Sequence, residues 1–152
     1  MFTRTFVFHL AVAVMLPAFA LAQSADCLES RYPIRVKVCD VRSNEGTITA
    51  DLHGDVPEDF LKRGKKLVRV RVPAESGCTN MCIPAPEAGI YAIALYQDRN
   101  LNEKLDQDFI GIPIEPYGIS NNPRIFLSPP SHEEAAFRVD EGGTDLEIRL
   151  RN

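Results

Sequence analysis

The chain has 152 residues, of which 45% are hydrophobic and 25% are charged, and its formal net charge at pH 7 is −4. A mildly acidic chain has no electrostatic basis for binding nucleic acid, so we expect no nucleic-acid partner. The length fits one domain with a single modest core and leaves little room for two.

Residues 1–22 have the pattern of a secretory signal peptide. Arg4 is their only charged residue, a long apolar run follows it, and Ala20 and Ala22 are the small residues that signal peptidase reads. A membrane anchor is the alternative, but the apolar run contains a proline and ends at a processing site, which favours cleavage. We therefore expect an exported mature domain, residues 23–152, that is periplasmic or secreted and has no stable membrane insertion.

Alternation of apolar and polar residues predicts the first two strands of the mature chain. Ile34, Val36 and Val38 share one face of the first strand, and the same period of two continues over residues 48–52. Residues 43–46, Ser-Asn-Glu-Gly, have the composition of a tight turn. We therefore expect these two strands to form a hairpin.

A short helix and two more strands follow. Residues 57–64 begin with proline and acidic side chains and end with basic side chains and glycine, which favours one or two helical turns. This is the only helix that we expect. Residues 68–72 then alternate valine with arginine, and residues 78–83 form another short segment of strand character.

The fifth predicted strand, residues 90–96, is apolar on both faces, so we expect both faces to be covered. Residues 136–139 and 146–150 are the last two predicted strands, and the glycines between them indicate a C-terminal hairpin. About seven short strands without amphipathic helices predict an all-β fold, a single β-sandwich with one short helix.

A long excursion, residues 97–135, separates the fifth strand from the predicted C-terminal hairpin. It is longer than an ordinary connection in a compact domain, and it is too apolar for a flexible linker. We therefore expect it to be ordered and to fold back over one face of the fifth strand. Its apolar residues include Ile110, Ile112, Ile114, Tyr117, Ile119, Ile125, Phe126 and Leu127.

Four cysteines, Cys27, Cys39, Cys78 and Cys82, lie in the mature chain, and an even number in an exported protein predicts two disulfide bonds. If residues 78–82 run as a strand, their two sulfur atoms are too far apart to bond each other, and each pairs with Cys27 or Cys39. If they form a turn, a local bond is possible, so the pairing stays open. Zinc is the rival interpretation, but the Cys-x3-Cys spacing has no third ligand at a usual distance.

The excursion begins with a segment that has the spacing of a calcium-binding loop. Its candidate oxygen ligands are Asp98, Asn100, Asn102, Asp106 and Asp108. The sixth position, normally glycine, is Glu103, and the twelfth, normally glutamate, is Phe109, so we expect only weak affinity, with a Kd of roughly 10⁻⁴ to 10⁻³ M. The alternative is a polar turn in which these side chains accept hydrogen bonds from nearby backbone amides.

The order of several short motifs resembles a bacterial protein family. Gly-Ile-Tyr-Ala-Ile-Ala-Leu at 89–95 precedes the calcium-like loop, and Gly-Ile-Pro at 111–113 and Tyr-Gly-Ile-Ser-Asn-Asn at 117–122 follow it. Over roughly residues 34–150 the chain resembles the exported bacterial proteins of domain-of-unknown-function family 2141. The resemblance implies a prealbumin-like or immunoglobulin-like sandwich and brings no established activity. The chain departs from the family pattern at Gln97, Glu103, Pro116 and Ser128, where His, Gly, Gly and Gly are more usual.

Polar residues later in the excursion are candidates for lining a ligand groove, because binding residues concentrate on loops that a rigid scaffold positions. They are Glu115, Tyr117, Ser120, Asn121, Asn122 and Arg124. The alternative is that the serine and asparagine side chains cap turns of the loop itself.

We expect a non-enzymatic binding or scaffold protein with calcium as its one candidate cofactor. His53 and His132 are the histidines of the mature chain, and neither lies near a recognisable nucleophile motif. A small periplasmic hydrolase that uses them is one alternative function. The other is a cell-envelope interaction module that binds an anionic polymer through the basic stretch from Lys62 to Arg71.

Overall fold

The computed structural model describes residue 27, residues 29–125 and residues 128–151. The predicted signal peptide lies outside the described residues, as do Phe126 and Leu127 of the excursion. Within the described part, no helix is long and apolar enough to cross a membrane. The strands are β1 Pro33–Val41, β2 Thr47–His53, β3 Val68–Pro73, β4 Gly77–Pro84, β5 Gly89–Asp98, β6 Tyr117–Ile119, β7 Phe137–Val139 and β8 Thr144–Arg149.

These strands form two sheets that pack face to face, which confirms the β-sandwich prediction. The first sheet has the order β4-β1-β8, in which β1 is antiparallel to β4 and parallel to β8. The second has the order β3-β2-β5-β6, and β7 also pairs with β5. Because β5 is ten residues long, it pairs with both short strands: β7 lies opposite Gly89–Tyr91 and β6 lies opposite Ala94–Tyr96.

The core lies between the sheets and follows the period of two in the sequence. Ile34, Val36 and Val38 of β1 are at most 2% exposed and contact apolar side chains of β2 and β5 from the opposite sheet. Each strand therefore presents its apolar face to one shared interior, and burying a side chain of this kind contributes about 1.5–3 kcal/mol.

Both predicted hairpins are wrong. β1 and β2 lie in different sheets, and so do β7 and β8. A turn-forming sequence specifies that the chain reverses direction, but it does not specify whether the next strand stays in the same sheet. Gly46 lies in the connection that carries the chain from β1 in the first sheet to β2 in the second. It has a φ of 69°, and its backbone lies so close to the Asp98 carbonyl that a side chain would clash.

The second face of β5 is covered, as predicted. Ala92 is fully buried beneath Phe60, Ile119 and Ala135, which form a small apolar cluster separate from the main core. Phe60 follows a 3-10 turn at Pro57–Asp59, which is all that forms of the predicted helix. Ala135 ends a four-residue helix, α1 (His132–Ala135), that the sequence did not predict.

Two disulfide bonds join Cys27 to Cys82 and Cys39 to Cys78. Cys78 and Cys82 both lie on β4, so the non-local arrangement expected for a strand is the one observed. The local bond between them is excluded. Cys39 and Cys78 are directly opposite each other in the β1–β4 register, on the face of the first sheet that points away from the core.

Candidate functional site

The calcium-like loop begins where β5 ends, at Asp98, whose side chain is only 1% exposed. Its Oδ1 accepts a hydrogen bond from the Asn102 backbone amide at 3.1 Å, and its Oδ2 accepts one from the Glu103 amide at 2.8 Å. The alternation of β5 places the Asp98 side chain on the outer face of the sheet, and the loop wraps around it. This carboxylate therefore organises the turn from its centre.

Asp106 lies against the two asparagines of the same turn. The Asn100 Nδ2 atom donates to Asp106 Oδ2 at 2.7 Å, and the Asn102 Nδ2 atom donates to Asp106 Oδ1 at 2.8 Å. The side-chain oxygens of both asparagines accept backbone amides of the loop. The structure thus brings four of the five predicted ligand residues together through local hydrogen bonds.

Asp108, the fifth predicted ligand, points elsewhere. Its Oδ1 accepts hydrogen bonds from the backbone amides of Ile110 and Ile112, at 3.0 and 2.8 Å. Within the described residues, no group of three or more histidine, cysteine, aspartate and glutamate side chains is arranged to hold a metal ion. The turn therefore offers two carboxylates, of Asp98 and Asp106, with two amide side chains.

Glu115 closes the loop from its far end. It is 5% exposed, and its carboxylate accepts hydrogen bonds from the backbone amides of Arg99 at 2.9 Å and Asp106 at 3.0 Å. The sequence placed this residue among the groove candidates. Its observed contacts are those of a buried acceptor that ties the start of the loop to its return.

Glu103 holds the loop over the outer face of the second sheet. Its carboxylate forms an ion pair with Arg71 of β3 at 3.0 Å, and its carbonyl accepts a hydrogen bond from Arg69 at 3.5 Å. Arg69 is also paired with Asp51, which raises the Arg69 pKa. Burial raises the pKa of Tyr96 on the same face, so this phenol stays neutral at physiological pH.

Beyond Asp106 the chain forms a projecting apolar finger, residues 106–114. Gln107 and Pro113 form a β-bridge across it, and the Ile114 amide donates to the Asp106 carbonyl at 2.9 Å. Its apolar side chains lie in solvent: Phe109 is 98% exposed, Ile110 66%, Ile112 55% and Ile114 60%. The expectation that Ile110, Ile112 and Ile114 cover a sheet face is therefore wrong.

A sequence signal for the finger was present. Gly111 and Pro113 flank Ile112 and mark a turn, and a turn at the end of a polar loop projects away from the core. Apolar content alone does not distinguish a segment that covers a sheet from one that projects into solvent.

Two of the groove candidates bind backbone around the end of β6. Ser120 is fully buried, and its Oγ donates to the Ala135 carbonyl at 2.5 Å and accepts from the Ile93 amide at 2.9 Å. Asn121 donates from Nδ2 to the Ala136 carbonyl at 2.7 Å. Both side chains thus attach the α1 segment to the second sheet.

The remaining three candidates lie around the last strand. Asn122 bonds to the backbone of β8 through both side-chain polar atoms. Tyr117 is half-buried on β6, its amide bonded to the Arg151 carbonyl, and Arg124 is exposed. A ligand role for the groove residues stays a prediction.

Among the predicted site residues, Cys82 is the one that lines either of two surface depressions in the described part of the chain. The larger, about 630 Å³, is an open depression over the first sheet. The smaller, about 150 Å³, lies beside Gly54 and Tyr91. Side chains of the larger one include Arg35, Lys37, Asn80, Cys82, Asp145 and Glu147.

His53 and His132 lie on either side of Phe60, with ring centroids 5.4 and 5.7 Å from it. His132 Nε2 lies 2.8 Å from the Gly54 carbonyl oxygen, and burial lowers the His53 pKa, so the ring stays neutral at physiological pH. This packing joins α1 to the end of β2. No residue pattern indicated that the two histidines pack against the same aromatic ring.

Fold and site together define a disulfide-bonded, all-β sandwich protein that carries an ordered polar loop and an apolar finger at one end of its longest strand. The chain belongs to the family described as "Uncharacterized protein conserved in bacteria (DUF2141)", whose family model matches residues 36–147. This confirms the resemblance inferred from the order of the motifs. No curated protein and no solved structure matches the chain.

Proposed function

We propose that the protein is an exported, non-enzymatic binding module and that calcium is the ligand of its Asp98–Asp106 loop. The observation that carries the proposal is the gathering of Asp98, Asp106 and two asparagine side chains in one turn. Their spacing is that of loops that wrap a hard cation with oxygen ligands. Two disulfide bonds support an oxidising compartment and therefore export.

The donor set supports weak affinity. A cation at Asp106 would displace the two amide NH2 groups that contact it, and each asparagine oxygen already accepts one backbone amide. Such oxygens keep a second lone pair for a metal. With only two carboxylates in the turn, we expect a Kd of roughly 10⁻⁴ to 10⁻³ M.

Thermal melts of the purified, oxidised protein during a calcium titration test this proposal. At about ten times the Kd, ligand linkage stabilises the folded state by about 1.4 kcal/mol and raises Tm by a few degrees. Asp106→Asn keeps the shape of the side chain and removes its charge, so it should abolish most of the shift. Asp98→Ala should abolish the shift too, and it should also lower Tm without calcium because two backbone amides lose their acceptor.

Asp55→Asn is the matched control, because Asp55 is an exposed carboxylate just beyond the opposite end of β2. This variant should keep the full calcium shift. An unchanged Tm at about 10 mM calcium, or an equal shift in Asp106→Asn, removes calcium from the proposal.

A hydrolase that uses His53 and His132 remains the alternative function. Their rings approach through Phe60, but among the described residues neither imidazole hydrogen-bonds to a hydroxyl, thiol or carboxylate. Nucleophilic catalysis needs such a pair of base and nucleophile. The geometry therefore supports binding better than hydrolysis.

Binding of an anionic cell-envelope polymer through the basic stretch is the other alternative. Lys62 and Arg63 are exposed and available for such a surface. Lys65 is paired with Asp59 at 3.3 Å, however, and the two arginines of β3 are paired with Asp51 and Glu103. These ion pairs reduce the positive charge that the stretch presents, so the structure supports polymer binding less well than calcium binding.

A further inference from the structure

The apolar finger concentrates exposed apolar surface in a way that single exposed residues do not. Four large apolar side chains between positions 109 and 114 are each at least 55% exposed. Scattered exposed apolar residues are normal on a folded protein, whereas a contiguous apolar patch marks a contact surface. Because the finger projects, whatever contacts it must have a surface that can enclose a convex apolar tip.

Five backbone amides of the finger are already paired within the finger. Three of these amides, those of Asp108, Gly111 and Ile114, donate to backbone carbonyls of the finger. The other two, of Ile110 and Ile112, donate to the Asp108 carboxylate. A backbone amide that enters a medium without hydrogen-bond partners carries a large free-energy penalty unless it is already paired. This tip can therefore lose its water without leaving those amides unpaired.

We propose that the apolar finger inserts shallowly into the interfacial region of a lipid bilayer. A bilayer accepts a convex tip of any shape, whereas a protein partner would need a complementary cleft. The insertion is shallow because Asp106 and Asp108 stand at the base of the tip and remain in the headgroup layer. This contact surface goes beyond the proposed calcium function and does not depend on it.

The local charge indicates which bilayer the finger prefers. Five acidic residues and two basic residues lie between positions 98 and 115. An anionic surface would therefore repel this end of the molecule, and the apolar side chains drive the insertion. We expect better partitioning to vesicles of phosphatidylcholine alone than to the same vesicles with added anionic lipid.

Flotation of the full mature protein with phosphatidylcholine vesicles, in EDTA, tests the inference. Phe109→Ser and Ile112→Ser should each lower the partition coefficient about tenfold, because each removes an apolar side chain from the inserted tip. Leu67→Ser is the matched control, since Leu67 is 54% exposed near the other end of the second sheet and should leave partitioning unchanged.

Fluorescence gives a second, independent measurement, because the chain contains no tryptophan. Phe109→Trp should show a blue shift of its emission when vesicles are added, and Val56→Trp, at an exposed site outside the finger, should show none. No vesicle binding by the native protein, or no shift at position 109, overturns the inference.

A second copy of the chain is the competing occupant of the finger. Concentration-dependent self-association that Phe109→Ser abolishes, without vesicle binding, would also overturn the bilayer inference. Use of EDTA separates this inference from the calcium proposal. The calcium-induced rise in Tm should persist in Ile112→Ser, whether or not the native protein binds vesicles. This result would show that calcium binding does not depend on the finger.

Discussion

Glu103 occupies a backbone conformation that L-residues rarely adopt, with a φ of 64°. Glycine takes this conformation without the steric cost of a Cβ atom, which is roughly 1 kcal/mol. The Glu103 side chain gains only an ion pair with Arg71, and the two partners are 67% and 36% exposed, so the pair contributes little. Glu103→Gly should therefore raise the free energy of unfolding by about 0.5–1 kcal/mol, measured by urea denaturation.

Glu103→Ala separates the two effects, because it removes the ion pair and keeps the Cβ atom. The alanine variant should be no more stable than the native protein. If the glycine variant unfolds at a lower urea concentration than the alanine variant, the turn is not strained at this position.

The part of the candidate site that the sequence predicted is the part that is local. Asp98 and Asp106 both accept hydrogen bonds from Asn102, and their spacing of fewer than ten residues alone implies a shared turn. Glu115 was assigned a different role because its contact with Arg99 depends on the path of the chain between them. No residue pattern encodes that path, so a buried acceptor was interpreted as a groove residue.

At the scale of elements, one side chain substitutes for a strand. Asn122 Oδ1 accepts from the Arg149 amide and its Nδ2 donates to the Glu147 carbonyl, each at 2.8 Å. These are the hydrogen bonds that a neighbouring strand would give to the edge of β8. Asn122→Ala should lower the free energy of unfolding by about 1–3 kcal/mol and speed hydrogen exchange at the Arg149 amide.

Asn80→Ala is the control for this prediction, since Asn80 is an exposed asparagine on β4 of the same sheet. Substitution there should change stability by less than about 0.5 kcal/mol. If the hydrogen-exchange rate of the Arg149 amide is the same in Asn122→Ala as in the native protein, the Asn122 side chain does not protect this amide, and the prediction is wrong.

Seven of the eight strands were predictable. Most of them alternate over enough residues to show a period of two, β5 is a continuous apolar run, and the three-residue β7 precedes a glycine turn. β6 is as short as β7 but was missed, because neither alternation nor a following glycine turn marks its three residues, one of which is Gly118. Gly118 has a packing role instead, since a Cβ there would lie 2.8 Å from the Ile148 side chain of β8. Strand pairing could not be predicted, because a turn such as 43–46 has the same composition whether it joins strands of one sheet or of two.

At the scale of the whole molecule, both disulfide bonds hold β4: one joins it to β1, and the other joins it to Cys27, which precedes β1. They close loops with sequence separations of 55 and 39 residues. Each should therefore stabilise the fold by about 2–4 kcal/mol, mainly by restricting the unfolded chain. Thermal melts should show a lower Tm for Cys39→Ser/Cys78→Ser and for Cys27→Ser/Cys82→Ser.

Reduction of the native protein should lower Tm at least as far as either double variant does. Because the β1–β4 hydrogen bonds remain in each variant, both should stay folded at low temperature, with strand-rich circular dichroism. A double variant that melts with the native protein would show that its disulfide bond adds no stability.

The parallel pairing of β1 with β8 sets the order in which the sandwich can assemble. Arg35 meets Asp145 across this pair, 110 positions later in the chain. During synthesis, β1 therefore emerges long before β8, and its second edge stays unpaired until β8 has been made. Folding with such long-range contacts is slow, and early oxidation of Cys39 with Cys78 would hold the first half of the sheet ready for the strand that completes it.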